Sequence, residues 1–162
     1  MSESSLTRDL VQRLREDQKL AEIFSDRVFA GRVPQGAGRP YILVTTIFSE
    51  PMYDLAGESE LYRTQLQVDV WADGKSAIIW SKRGGRFVRD SLGPQLNTEI
   101  LATGRAAAPL YAGGLDVKGA TLLQDEALGQ AAEDGSDNYL RRQSQDWEFL
   151  HTDPIDDGEA PP

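Results

Sequence analysis

One histidine, His151, and no cysteine limit the chemistry open to this 162-residue chain. Without thiols there are no disulfides, zinc–thiolate sites or thiol nucleophiles. One imidazole per chain also excludes a multi-histidine metal site within a subunit. Ser–His–Asp catalysis needs an imidazole base oriented by a carboxylate, and only His151 could supply it. Its place, where the last strand runs into a polar tail, predicts an exposed strand-end residue instead. Carboxylate pairs are a second option, because 26 acidic residues make close pairs easy to form. Asp69 stands out among them, set between Val68 and Val70; alternation puts it on the polar side of its strand, solvated or paired. Gly31 to Gly38 has the composition of a phosphate loop, but such loops open a helix whose amides hold the anion. This one runs into Pro40 and a strand and has no Gly-Lys-Ser/Thr signature. Its glycines read as turn residues, and no cofactor follows from the sequence.

Three other groups suit contact better than turnover. Lys82, Arg83, Arg86 and Arg89 cluster on one expected helix, either as an electrostatic contact for an acidic patch of a neighbouring subunit or as a solvated helix face. Arg63, Gln65, Gln67 and Asp69 form one polar row, and Arg141, Gln143 and Gln145 another. If their strands pair, the rows are expected to meet across a sheet face, where ordinary solvent exposure is the alternative. Met52, Tyr53 and Leu55 are apolar residues in an otherwise polar connection. They mark a partner-contact loop or a small cluster folded back on its hairpin.

Composition narrows the partners. Hydrophobic residues at 40% and charged residues at 27% fit a globular fold, not a wholly disordered chain. The polar, acidic start Met1-Ser2-Glu3 predicts neither a secretory signal nor a transit peptide. No apolar run reaches the ~18 residues of a membrane span, so no membrane partner is expected. With 17 bases against 26 acids the formal charge is −9, which suits a phosphate-gripping protein poorly.

The elements that must position these residues follow from periodicity. Leu6, Leu10 and Leu14 predict an amphipathic helix with Ser4 or Ser5 as N-cap. Asp17 is expected to cap a second short helix burying Leu20, Ile23 and Phe24. Arg27 to Ala30 reads as a short extended segment and Gly31 to Pro40 as a loop. Tyr41 to Phe48 is a strand apolar on both faces, hence expected to be covered on both, by a helix on one side and by a second helix or a neighbouring subunit on the other. A connection at 50–60 leads to a second long strand, Leu61 to Ala72, whose Tyr62–Ala72 parity faces a core. A helix from Asp73 or Ser76 to about Leu92 carries Ala77, Trp80, Ser81, Gly84, Val88 and Leu92 on its inner face. Gly84-Gly85 implies close backbone packing or a break. Gly93-Pro94 stops it. Strands are expected at Ala108–Ala112 and Leu115–Leu123, a mobile acidic loop at 124–138, and a last strand from Tyr139 to Leu150. The expected fold class is α+β, with a mainly antiparallel sheet, a long hairpin, and an N-terminal and a central helix packed on it. One domain spans 1–151, and 152–162 is a disordered acidic tail. Without the tail's four acids, 22 acids still face 17 bases, so the acidity is not confined there.

The order of these segments resembles the tail-completion, or tail-terminator, family of tailed bacteriophages and related phage-like particles. The resemblance rests on Leu20-Ala21-Glu22-Ile23-Phe24 followed by Arg27-Val28-Phe29, and on Val33-Pro34-Gln35-Gly36 leading to Arg39-Pro40-Tyr41-Ile42-Leu43-Val44. It also rests on Leu66-Gln67-Val68-Asp69-Val70-Trp71-Ala72 with the helix that follows, and on Arg141 to Leu150. It covers most of residues 6–151; the stretches 95–114 and 124–138 are longer than the family pattern. It implies a structural virion protein, not an enzyme, that closes into a ring, usually of six, at the head-proximal end of the tail tube. That ring stops tube polymerisation and joins the tail to the head. The implied partners are further copies of the chain, the tail tube protein and a head-side connector, with DNA passing through the lumen without specific binding. The implied location is the neck of a virion or phage-like particle assembled in the bacterial cytoplasm. On this reading the polar rows Arg63–Asp69 and Arg141–Gln145 line the lumen or meet the next subunit. A ring of six chains at −9 carries −54, so closure is expected to depend on salt or on docking to the tube. Another head–tail connector subunit, or a small carboxylate-dependent hydrolase, are the alternatives.

Overall fold

Leu6, Leu10, Val11 and Leu14 lie on one stripe of the first helix, α1 (Ser5–Glu16), and all four are buried. The computed structural model describes residues 5–92, 117–130 and 140–152. After α1 comes α2 (Gln18–Phe24), capped as expected by Asp17, whose carboxylate accepts from the amides of Lys19 and Leu20 at 3.0 and 3.2 Å. Strands β1 (Val28–Ala30), β2 (Tyr41–Asp54) and β3 (Gly57–Asp73) follow, then α3 (Ala77–Leu92), β4 (Val117–Gln130) and β5 (Leu140–Thr152). Among the described residues no helix is long and apolar enough to cross a membrane.

The strands form one sheet in the order β1-β2-β3-β5-β4. Only β1 joins its neighbour in parallel; the other pairings are antiparallel. The helices pack on one side of it, and between them lie Ile42, Val44, Leu66, Val68, Val70, Trp147 and Phe149, all buried. Each such side chain contributes about 1.5–3 kcal/mol relative to exposure. Arginines tie the layers together: Arg13 donates through Nε and a terminal nitrogen to the carbonyl of Ser91 near the end of α3, and Arg15 likewise to that of Val28 in β1. The α+β architecture is the one the periodicity implies.

Four expectations need correction. The connection at 50–60 is not a loop: β2 runs through Pro51 to Asp54, β3 starts at Gly57, and only Leu55 and Ala56 turn between them. Proline is tolerated there because β1 pairs only with Ile42 to Val44, leaving the rest of β2 a sheet edge on that side. Second, among the described residues no second helix covers the other face of β2, which leaves a neighbouring subunit as the expected cover there. Ile42 and Val44 are buried under the helices, whereas Tyr41 and Leu43 are half-exposed on the other side. Third, the acidic stretch from Gln124 to Gln130 belongs to β4, an outer strand, where charges are well placed. Fourth, Trp80 does not face the core; it is 37% exposed, and α3 buries Gly85 and Ser91 in addition to the expected positions. The last strand also runs one residue beyond the expected domain boundary, with Thr152 paired to Leu61. The Ser4 cap, the Gly93-Pro94 stop, the strand at Ala108–Ala112, residues 131–138 of the acidic loop, Tyr139 and the tail from residue 153 lie outside the described residues.

Candidate assembly surfaces

Register decides which polar residues share a face, because directly opposed residues in a ladder point the same way. Arg141, Gln143 and Gln145 stand opposite Ala72, Val70 and Val68, on the helix side of the sheet. Arg63, Gln65, Gln67 and Asp69 point to the other side. The two rows therefore do not meet, and they cannot jointly line a lumen or one interface. Gln145 is completely buried: its amide nitrogen donates to the carbonyl of Gly85 at 2.8 Å, and its oxygen accepts from the Trp147 indole at 3.1 Å. Gln143 reaches Asp125 on β4. The glycine pair makes this packing possible. A β-carbon on Gly84 would stand 2.6 Å from Phe24 and 2.8 Å from Val70, and one on Gly85 2.7 Å from Gln143. Of the two expected reasons for Gly84-Gly85, close backbone packing is the one observed, in an unbroken helix.

The side of the sheet away from the helices is built differently at its two ends. Where β2 begins and β3 ends, Phe29, Tyr41 and Trp71 form a run of rings with centroids 6.1 and 6.3 Å apart, and the Arg142 guanidinium lies 5.3 Å from the Trp71 ring. Beside it is a recess of about 350 Å³ lined by Trp71, Leu128 and Arg142. Further along, the face turns polar and acidic. Asp69, 5% exposed, is paired, not solvated: it accepts from Gln67 at 3.1 Å and faces Arg142 at 3.9 Å. Asp146 lies opposite Gln67, Glu148 opposite Gln65 and Glu126 opposite Ser144, so carboxylates from β4 and β5 join the row from β3. Arg63 pairs with Glu50 and sits over Phe48.

The outer surface of α3 carries the basic cluster. Lys82, Arg83, Arg86 and Arg89 are all exposed. Arg89 meets Asp125 at 3.4 Å, and Arg83 lies 5.4 Å from the Trp80 ring. A groove of about 380 Å³ between α3 and β4 is lined by Lys82, Arg86, Arg89 and Asp125. The first turn of the helix adds Ile78 and Ile79, 43% and 55% exposed. Sequence reading missed this apolar turn. Its signal was three large apolar residues in succession, more than one helix face can bury.

Among the described residues, the hairpin of β2 and β3 runs on beyond Leu61, where β5 ends, with no strand beside it. At its tip Met52 is 37% exposed, Tyr53 70%, and Leu55 fully. These side chains face outward and are not folded back on the hairpin. The tip is held by Asp54, which accepts from the amide of Ala56 at 2.8 Å, and by Gly57 at φ 119°.

His151 is not the exposed residue expected. It is 2% exposed, stacked on Tyr62 with ring centroids 6.0 Å apart. Its Nδ1 donates to the carbonyl of Thr152 at 3.1 Å. That leaves Nε2 to accept from the Thr64 hydroxyl at 2.8 Å, and Thr64 to accept in turn from Ser49 at 2.8 Å. The imidazole thus closes a hydrogen-bonded chain across β2, β3 and β5, buried at Thr64 and His151 and exposed at Ser49. Among the described residues, no cluster of three or more His, Cys, Asp or Glu side chains is placed to hold a metal ion.

Residues 8–85 match the family model of "Tail completion protein gp17", so the tail-completion resemblance holds over the helical opening, the long hairpin and the first half of α3. No curated protein matches the chain. Among solved structures, a chain from the "Virion of native gene transfer agent (GTA) particle" shares the fold, with a TM-score of 0.57 and 18% identity over 90% of this chain and 94% of that one.

Proposed function

Taking residues 8–85 as a tail-completion sequence, we propose that this protein is a structural component of a phage-like tail, working by assembly and not by turnover. It closes into a ring, six-membered by the family pattern, at the head-proximal end of the tail tube. There it ends tube polymerisation and presents a surface to a head-side connector. The observation that carries this reading is the sheet itself: helices cover one side, while the other exposes aromatic rings at one end and carboxylates at the other. Sheet faces left open with apolar content mark contacts between chains. The fold shared with a chain of a gene transfer agent virion supports a place in such a particle.

Copies of the chain are the lateral partners. The exposed tip with Tyr53 and Leu55 serves as the contact for the tube protein or the connector. The chain's excess of acids suits a lumen through which DNA slides without being held. Light scattering of the purified protein, at low and high ionic strength, together with negative-stain microscopy, tests this. Rings with an open centre are expected, with closure favoured as salt screens the mutual repulsion of the acidic copies. A monomer under every condition contradicts the ring.

A further inference from the structure

The two exposed sides of the protein follow the same order along the strand axis. On the helix side, Gly84 lies against Val70, and Gln145, the partner of Val68 in the ladder, bonds to Gly85. The chain enters α3 from the Asp73 end of β3, so the exposed turn Ile78–Trp80 sits level with that end of the sheet. Lys82 and Arg86 follow toward the middle, and Arg89 reaches Asp125, which is in register with Gln145. On the open side, the rings of Tyr41 and Trp71 occupy that same end. Glu126, Asp146 and Glu148 come next, level with residues 69, 67 and 65 of β3. Apolar then basic on one side is matched on the other by rings, with Arg142 held against Trp71, and then by carboxylates, with Arg63 paired to Glu50 beyond them.

We propose that the outer surface of α3 in one copy docks onto the open sheet face of the next. Ile79 and Trp80 then meet the Tyr41–Trp71 rings, and Lys82 and Arg86, which follow Trp80 by about 3 and 9 Å along the helix, meet Glu126 and Asp146, which follow Trp71 by about 7 and 13 Å along the sheet. The occupant is a second copy of this chain because each side supplies what the other lacks, in the same axial order. The two surfaces lie on opposite sides of one sheet, so one neighbour cannot engage both. The contact is heterologous, and repetition of a heterologous contact builds a closed ring or an open filament, not a dimer. Opposite charges across it fix the register and disfavour a flipped subunit. The proposal rests on the ring reading above and adds the faces that make the ring.

Charge reversal tests it. The doubly substituted variants Lys82→Glu/Arg86→Glu and Glu126→Lys/Asp146→Lys alter exposed or half-exposed positions. Each variant alone places like charge against like charge, and is expected to run as a monomer in light scattering under conditions where the wild-type protein assembles. Mixed in equal amounts, the two variants restore opposite charges at every contact and are expected to regain the assembled mass. Circular dichroism and thermal melts, expected to match wild type, show that each variant is folded. If both variants assemble as the wild type does, or if folded variants stay monomeric when mixed, this pairing of faces is overturned while the ring reading stands. A wild-type chain that is monomeric at every concentration and ionic strength overturns both.

Discussion

The amide nitrogen of Gln145 donates to the carbonyl of Gly85 at 2.8 Å, across the seam between β5 and α3. It gets there because residue 85 has no side chain; a β-carbon at that position would crowd Gln143 and stand 3.2 Å from the donating nitrogen itself. A buried polar group and a helical glycine thus explain each other, and both set how closely α3 approaches the sheet.

Alanine at residue 84 or 85 should therefore destabilise the protein, although alanine favours a helix over glycine by about 1 kcal/mol. Overpacking against Phe24 and Val70, or against Gln143, should outweigh that gain and cost about 1–3 kcal/mol. Urea melts compared with Ile79→Ala, at an exposed site on the same helix, are the measurement; Gly→Ala variants as stable as wild type would show that α3 has room to move.

Gln145→Leu keeps the volume but removes the bonds to Gly85 and to the Trp147 indole. Each buried group left unpaired costs about 1–3 kcal/mol. Thr64→Val should act similarly by cutting the Ser49–Thr64–His151 chain. Both losses should appear as lower denaturation midpoints with an unchanged slope against denaturant. If each variant melts with the wild type, these hydrogen bonds carry no net stability.

Burial raises the Asp9 carboxyl above its ordinary value of 3.8, against the opposing pull of Arg8. The folded chain then keeps a proton that the unfolded chain has released, so stability falls as pH rises from 3.8 through the raised value. Asp9→Asn should remove that loss. The variant should melt slightly higher than wild type at pH 7 and level with it below pH 3.8. Asp9 is half-exposed, so solvent screening holds the gain to about 0.5 kcal/mol or less. A variant that melts lower at pH 7 contradicts the sign.

The hairpin tip should separate docking from folding. Tyr53→Ser with Leu55→Ser alters two exposed side chains beyond the end of β5. The thermal midpoint and the lateral assembly of the chain should be unchanged, while joining of tails to heads should fall sharply in particle counts by microscopy. Full joining by this variant would remove the tip from the partner contact.

Much of this architecture was legible in the residue pattern. The Leu6–Leu10–Leu14 spacing, the Asp17 cap and the alternation from Tyr62 to Ala72 each act within one element, and local rules suffice for them. The side occupied by Gln145 was legible in part: it shares parity with Trp147 and Phe149, yet its polarity argued for water. What overrides polarity is a carbonyl 60 residues away in sequence, which no local pattern contains. His151 was misjudged for the same reason, since Thr64, in another strand, makes its burial tolerable. Pro51 hid the length of β2, because whether a strand lies at a sheet edge is decided by its neighbours. The assembly surface on α3 was half visible: its charges were, while Trp80 was assigned to the core by helical spacing that Ile78 fits as well, and Ile79 lies on the opposite face of the helix.

Deletion of this chain from a particle-producing strain, followed by electron microscopy, decides whether it ends tails and joins them to heads. Filled but unjoined heads beside tails longer than normal are expected. Joined particles with tails of ordinary length would contradict it.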